Sequence, residues 1–278
     1  MYKLEYHSLQ STGRLYYLTK LGVRQIPSPQ NIQIISIGGL PEVRAGDELG
    51  PLIIEAARRQ STPIENSDVL LVTQKVVSKA EGQVLNLSDV TPSPLALQIA
   101  SEHQRDPRHT EVILRESKRI VRMDRGVIIA ETQHGFTCAN AGVDASNVPG
   151  TETVSLLPKH PDVSAQRIKT HILDTLSIDV AVIISDTFGR PWREGAVNIA
   201  IGVAGLNPLQ DYRGQEDPYG YPLRTTTIAV ADELAAAGEL VMGKVDRVPA
   251  ALIKGYHYPK GHGDIKSLVR TPERDLFR

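Results

Sequence analysis

The chain is poor in the residues that would narrow its chemistry at once. It holds a single cysteine, Cys138, in 278 residues. That excludes an intramolecular disulfide and a cysteine-rich zinc site, and it suits a reducing cytoplasm. Three Phe, one Trp and three Met leave Val, Ile, Leu and Ala to build the core. No charge of either sign is in excess. The 31 basic residues meet 32 acidic ones, for a net charge of −1, so electrostatics offers no case for nucleic acid or a membrane surface. No apolar run is long enough to cross a bilayer, and Met1–His7 lacks the apolar core of a signal peptide. Repeats and low-complexity linkers are also missing. What remains, 41% hydrophobic and 23% charged residues, describes an ordinary globular protein of one large domain or two small ones.

The most informative stretch is Val182–Arg193. The apolar β-branched run Val182, Ile183, Ile184 predicts a buried strand. It gives way to Asp186 and Thr187, expected at the strand mouth where a loop begins. Gly189 and Pro191 follow, then the pair Arg190 and Arg193. Carboxylate and hydroxyl oxygens suit a hard cation, and guanidinium forks suit phosphate or carboxylate. A capped strand end beside two surface arginines accounts for the same residues equally well. A second stretch, Asn140–Asn147, has the same character, with small residues leading to Asp144, Ser146 and Asn147. An Asx-turn is its plain structural reading, but two Asp-bearing loops in one chain favour a shared cation.

The remaining elements alternate without a strict βα rhythm. Strands are expected at Asn31–Ile37, Val69–Thr73, Glu111–Leu114, Val127–Glu131, Ala196–Ala204 and Val248–Ile253. A helix capped by Asp47 should run to Arg59, with further helices at Leu95–Gln104, Ser164–Leu176 (capped by Ser164) and Thr225–Met242. Gly38–Gly39 reads as a plain turn. Lys75 and Lys79, four apart, face one anion if their segment is helical, and a solvated helix edge is the plainer reading of the pair. Cys138 reads as a small core residue. The loop Asp211–Asp217 is a candidate for holding substrate. This mixture predicts an α+β fold of mixed sheets with flanking helices. Residues 1–30 form an extension, a hairpin or an arm. The body covers 31–255 with no visible boundary between lobes, and 256–278 form a tail that frays or lies on the surface.

Several segments together resemble the coenzyme F-420-0:L-glutamate ligase family, the gamma-glutamyl ligases of a deazaflavin coenzyme. They are Gly39–Val43 with Gly46–Asp47, Val77–Gly82, His134–Phe136 with Asn140–Asn147, Ser185–Arg193, Asp211–Gly214, Ala231–Ala235 and Leu240–Gly243. The resemblance spans about residues 31–255. It implies two intertwined lobes, a homodimer, and a cytoplasmic enzyme using GTP with Mg²⁺ or Mn²⁺ and a monovalent cation. The carboxylate of the deazaflavin precursor would be phosphorylated, and the amine of L-glutamate would then displace phosphate. The resemblance places one metal on Asp144 and Asp186, with Thr187 helping a second. It places nucleotide contacts at Leu40, Pro41, Glu42 and Val43, at Gln74, Lys75, Lys79 and Asn147, and at Met242, Gly243, Lys244, Val245, Asp246, Arg247, Val248 and Pro249. Arg190 and Arg193 are assigned to phosphate or substrate carboxylate on their chemistry rather than on the family pattern.

Two positions depart from that pattern. Lys244 stands where the family usually offers a glutamine oxygen to the second metal, and an ammonium cannot ligate a metal. Either that site is lost or Lys244 supplies the positive charge itself. Lys75 replaces what is often a small residue and adds a phosphate contact. A ligase for another carboxylate acceptor and a non-catalytic nucleotide-binding paralogue are the alternative readings.

Overall fold

The structure, a computed structural model, describes residues 16–19, 22–25, 31–148 and 150–276. The chain divides into two compact units, residues 1–32 and 33–278. In the first, β1 (Tyr16–Thr19) and β2 (Gly22–Gln25) pair as an antiparallel hairpin, Tyr16 opposite Gln25. The other residues of the expected extension lie outside the described ones.

The second unit is α+β. In chain order it contains β3 (Gln33–Ile37), α1 (Leu49–Arg59), β4 (Val69–Thr73), α2 (Gln74–Ala80), β5 (Val84–Asn86), α3 (Pro94–His103), α4 (Pro107–Glu116), β6 (Ser117–Asp124), β7 (Val127–Thr132) and β8 (Thr137–Ala139). Then come β9 (Thr153–Ser155), α5 (Pro161–Leu176), β10 (Ala181–Arg190), β11 (Arg193–Ala204), β12 (Gln210–Asp211), β13 (Thr227–Ile228), α6 (Val230–Met242) and β14 (Ala250–Lys254).

Five strands form the central sheet in the order β11-β10-β4-β14-β3. β10 runs parallel to β4 and antiparallel to β11, while β14 runs antiparallel to both β4 and β3. Val69–Val72 and Ala181–Ile184 are wholly buried, as expected where helices cover both faces. Two glycines show which helix covers which face. A Cβ on Gly202 of β11 would lie 2.5 Å from the Pro161 carbonyl carbon, so α5 rests directly on that strand. A Cβ on Gly238 of α6 would lie 2.1 Å from Leu71 Cδ1. Gly202 pairs with Ile184, and Ile183 pairs with Leu71. Side chains alternate along strands, so α5 and α6 lie on opposite faces. A separate, smaller core, built on Leu87, Ile99, Ile113, Ile128 and Val154, ties α3 and α4 to β7 and β9.

Several sequence expectations need correction. Glu111–Leu114 is not a strand but the last turns of α4. Asp106 caps that helix by accepting from Arg108 N at 2.8 Å, and Pro107 opens it. The Val-Ile-Leu run is ambiguous by periodicity, and the Asp-Pro start signal decides it. Strand β6 directly after it was not anticipated. The Asp47 carboxylate accepts from Arg44 N at 2.7 Å instead of capping α1, whose N-cap is Glu48. Ser164 lies inside α5, which starts at Pro161, and donates to the His160 carbonyl at 3.2 Å. α6 begins at Val230 rather than Thr225, because Thr227 and Ile228 pair with Asp211 and Gln210. Asp186 and Thr187 are not in a loop either. β10 continues to Arg190, paired along its length with β11, and Pro191–Trp192 make the turn. Of the two expectations for the tail, the structure shows the surface one, with two anchors: Tyr258 and Ile265 are buried, and Asp162 accepts from the backbone of both Val203 (2.7 Å) and Ile265 (3.2 Å).

Candidate active site

β3, β4 and β10 run in one direction, so their carboxyl ends open on the same edge of the sheet, beside the amino end of β14. That edge is where open sheets of this kind commonly bind ligands. Four chain segments leave or enter there: the loop 38–43, helix α2, the outer half of β10, and the loop 243–249. They are stitched together. Thr73 N donates to the Pro249 carbonyl at 2.8 Å, Gly46 N donates to the Ala80 carbonyl at 2.9 Å, and Val248 lies against Gly38.

Helix α2 presents Lys75 and Lys79, whose side chains are only 16% and 13% exposed. They are therefore not a solvated helix edge. Lys75 Nζ donates to Asp144 Oδ2 at 2.7 Å and to Ser155 Oγ at 2.9 Å. Lys79 Nζ donates to Glu42 Oε1 at 2.5 Å. Asp144 is anchored by backbone bonds in both directions with Ser155, at 3.1 and 2.8 Å. Its carboxylate also accepts from Ser146 N at 2.8 Å and from the Ser146 hydroxyl at 2.6 Å. The expected Asx-turn is present, and the carboxylate is paired with a lysine besides. Burial raises the Asp144 carboxyl, but hydrogen bonds from Lys75 and Ser146 hold it below the ordinary range. The hydrogen bond from Lys79 is the main cause holding Glu42 low, with Arg247 and Arg44 adding positive charge nearby.

Asp186 is half-buried on β10. Burial pushes its carboxyl up to about 6, and the Asp144 charge pushes the same way. The Thr187 backbone and the charges of Lys75 and Lys244 oppose this. The sheet edge therefore carries two carboxylates from different elements, Asp144 paired with Lys75 and Asp186 adjacent to the Thr187 that Lys244 contacts. Beside Asp186, the Thr187 hydroxyl donates to Asn198 Oδ1 at 2.6 Å, and Asn198 Nδ2 donates to Glu239 Oε2 at 2.6 Å. Lys244 Nζ donates to Thr187 Oγ1, lies 3.5 Å from Asn198 Oδ1, and pairs with Glu239 Oε1 at 3.2 Å.

The other expected site residues fall into groups. Val43 and Met242 are buried and Leu40 is partly buried against the core, while Pro41, Glu42 and Gly243–Arg247 are exposed at the edge. Gln74 is buried and donates to Ser78 Oγ at 2.6 Å and to the Leu156 carbonyl at 2.9 Å, joining α2 to the segment that leaves β9. Asn147 is exposed with φ 55°, three residues from Asp144. Arg190 and Arg193 flank the exposed tip of the β10–β11 hairpin, where Arg190 donates to the Glu194 and Gly195 carbonyls. Ser155, Asn198 and Glu239 were missed. Asn198 had one visible signal, a lone amide within the small apolar run Ala196–Ala204.

Among the described residues, no three His, Cys, Asp or Glu side chains converge as a metal cage. Two carboxylates and a hydroxyl nevertheless fit a hard divalent cation whose remaining ligands are water and substrate phosphates, the usual way Mg²⁺ is held. A cleft of about 300 Å³ bounded by Glu81, Gln83, Lys159, His160, Val163, Ser164 and Arg167 shares no residue with this cluster. No helix among the described residues is long and apolar enough to cross a membrane.

The family model described as F420-0:Gamma-glutamyl ligase matches residues 38–255. The chain is 48% identical over 253 residues to a Methanothermobacter thermautotrophicus protein named coenzyme F420:L-glutamate ligase, covering 89% of this chain and 99% of that one. Proteins of the same name from Methanopyrus kandleri and Methanocaldococcus jannaschii are 43% and 40% identical, covering 87% and 91% of this chain and 100% and 99% of theirs.

Proposed function

The chain belongs to the F420-0:gamma-glutamyl ligase family and is a ligase, and from that premise we propose that it joins L-glutamate by an amide bond to the deazaflavin coenzyme F420 precursor, driven by GTP. The observation that supports this most directly is what converges at the open edge of the sheet: Asp144 held by Lys75 at 2.7 Å, and Asp186 next to Thr187, which accepts from Lys244. The reaction brings a carboxylate against a polyphosphate, so it needs fixed positive charge and cation ligands in one place.

Asp144 and Asp186, with Thr187 alongside, are the residues that would hold Mg²⁺ or Mn²⁺. When bound, the ion neutralises phosphate charge and polarises the γ-phosphoryl group. Lys75 and Lys79, now paired with acids, exchange those partners for phosphate oxygens as the nucleotide arrives. The exposed loops at Glu42 and at Gly243–Arg247 border the nucleotide. An acceptor carboxylate oxygen attacks the γ-phosphorus, and the bond to the β-phosphate oxygen breaks, releasing GDP. The neutral amine of L-glutamate then attacks the acyl carbon. The carbon–oxygen bond to phosphate breaks, the amide forms, and the amine proton leaves to phosphate or water. Arg190 and Arg193 are proposed to steady the anionic substrates. We also propose that the enzyme is a homodimer in the cytoplasm.

Phosphate release from GTP by purified protein tests this reading. Release should require the deazaflavin precursor and L-glutamate together. Release that continues without either would identify a phosphohydrolase instead, and tight GTP binding without turnover would identify a silent paralogue.

A further inference from the structure

Lys244 follows Gly243, the residue that ends α6, and its side chain reaches back to the sheet. There it completes a closed ring of polar contacts. The ammonium donates to Thr187 Oγ1, the Thr187 hydroxyl donates to Asn198 Oδ1, the Asn198 amide donates to Glu239 Oε2, and Glu239 Oε1 pairs with the ammonium at 3.2 Å. The direction of each bond is set by the one before it. Lysine has three donor hydrogens and no acceptor, and three oxygens face it: Thr187 Oγ1, Asn198 Oδ1 at 3.5 Å and Glu239 Oε1. Asn198 is 2% exposed and fixed on both sides, so the cage is built into the fold and does not depend on the lysine's own rotamer. A hydroxyl, an amide carbonyl and a carboxylate are also the donors a hard cation takes. The cage adjoins Asp186, which places its charge next to the metal-binding carboxylates.

We propose that the Lys244 ammonium is a tethered cation filling the Thr187–Asn198–Glu239 cage, so that each active site loads one divalent ion, at Asp144 and Asp186, and not two. The proposal rests on the ligase reading, in which phosphates and a carboxylate must be brought together. It gives Lys244 the part of a positioning charge that needs no ion from solution. It also makes the cage specific: with the ammonium removed and an oxygen supplied in its place, the same three residues accept a second divalent ion.

Mn²⁺ binding, followed by loss of the free-ion electron paramagnetic resonance signal, tests this with full-length protein and an equimolar non-hydrolysable GTP analogue. The wild type should bind one Mn²⁺ per chain, Lys244→Gln two, and the double variant Lys244→Gln with Glu239→Gln one again. Lys244 is exposed at a helix end, so its replacement should leave the melting temperature close to that of the wild type. Two ions in the wild type, or one in both the wild type and Lys244→Gln, would overturn the proposal. No bound ion in any variant would overturn it together with the metal assignment. The ligase reading is checked separately, by whether glutamate is incorporated.

Discussion

Lys75 and Asp144 show how one contact serves two states. Their 2.7 Å pair satisfies a lysine that is only 16% exposed, and it occupies the carboxylate that the proposed mechanism needs for a cation. The two roles have opposite signatures. Lys75→Met should tighten Mn²⁺ binding, because a competing cation is gone, while raising the KM for GTP by about tenfold, the scale of one charge-assisted contact. Isothermal titration and initial rates read the two effects independently, and equal weakening of both would contradict the exchange of partners. Asp144→Asn and Asp186→Asn should each lower turnover by about 100-fold or more, since even residues that merely support metal ligands cost 10–100-fold. Circular dichroism should remain that of the wild type, and full activity in either variant would remove the metal assignment. Both aspartates were legible in the sequence because each follows a run of small or apolar residues that leaves a carboxylate with no packing role. Asn198 and Glu239 were not, since their contact joins residues 41 apart and exists only once α6 lies across β11.

At the scale of elements, apolar runs with clear ends were read correctly. Val69–Thr73 is a strand at those limits. Errors arose where pairing or capping overrides local pattern, as at Glu111–Leu114 and at the start of α6. Glu111 explains part of this, because it does a helical job. Its carboxylate accepts from the backbone N of Ser93, the N-cap residue of α3, and from Arg115 Nε, both at 2.9 Å. Those bonds, the Ser93 ones first, depress its carboxyl to about 2. The folded value lies below the unfolded one, so the stabilisation is complete above the ordinary glutamate range and disappears as pH falls toward about 2. Wild type should therefore melt above Glu111→Gln at pH 7, with the gap closing through the acid range, and a gap independent of pH would contradict this. Gly202 supports a second prediction. An alanine there meets backbone atoms of Pro161, which cannot step aside. Gly202→Ala should cost about 1–3 kcal/mol, the usual penalty of overpacking, measured by urea denaturation.

For the whole molecule, composition and the mixture of elements were enough to indicate an α+β chain. The strand order β11-β10-β4-β14-β3 was not legible, because it depends on which sheet edges and helix faces meet. The order matters for function, since it brings the carboxyl ends of three strands to one edge. The surface course of the tail was legible, but its anchors, Tyr258 and Ile265, were not, because each adjoins polar or charged residues. Large apolar side chains remain exposed at Trp192, Tyr219, Leu240 and Val245, from 81% to 96%. A homodimer that covers some of them should elute at twice the 30.4 kDa chain mass in light-scattering chromatography, and a mass of one chain at micromolar concentration would remove that proposal.

The central claim is best tested by mass spectrometry of a reaction containing the purified protein, GTP, a divalent cation, L-glutamate and the deazaflavin precursor. The product should be heavier than the precursor by one or more glutamate residues, formed with equivalent release of GDP and absent when GTP is omitted. GTP consumed with the precursor unchanged would contradict it.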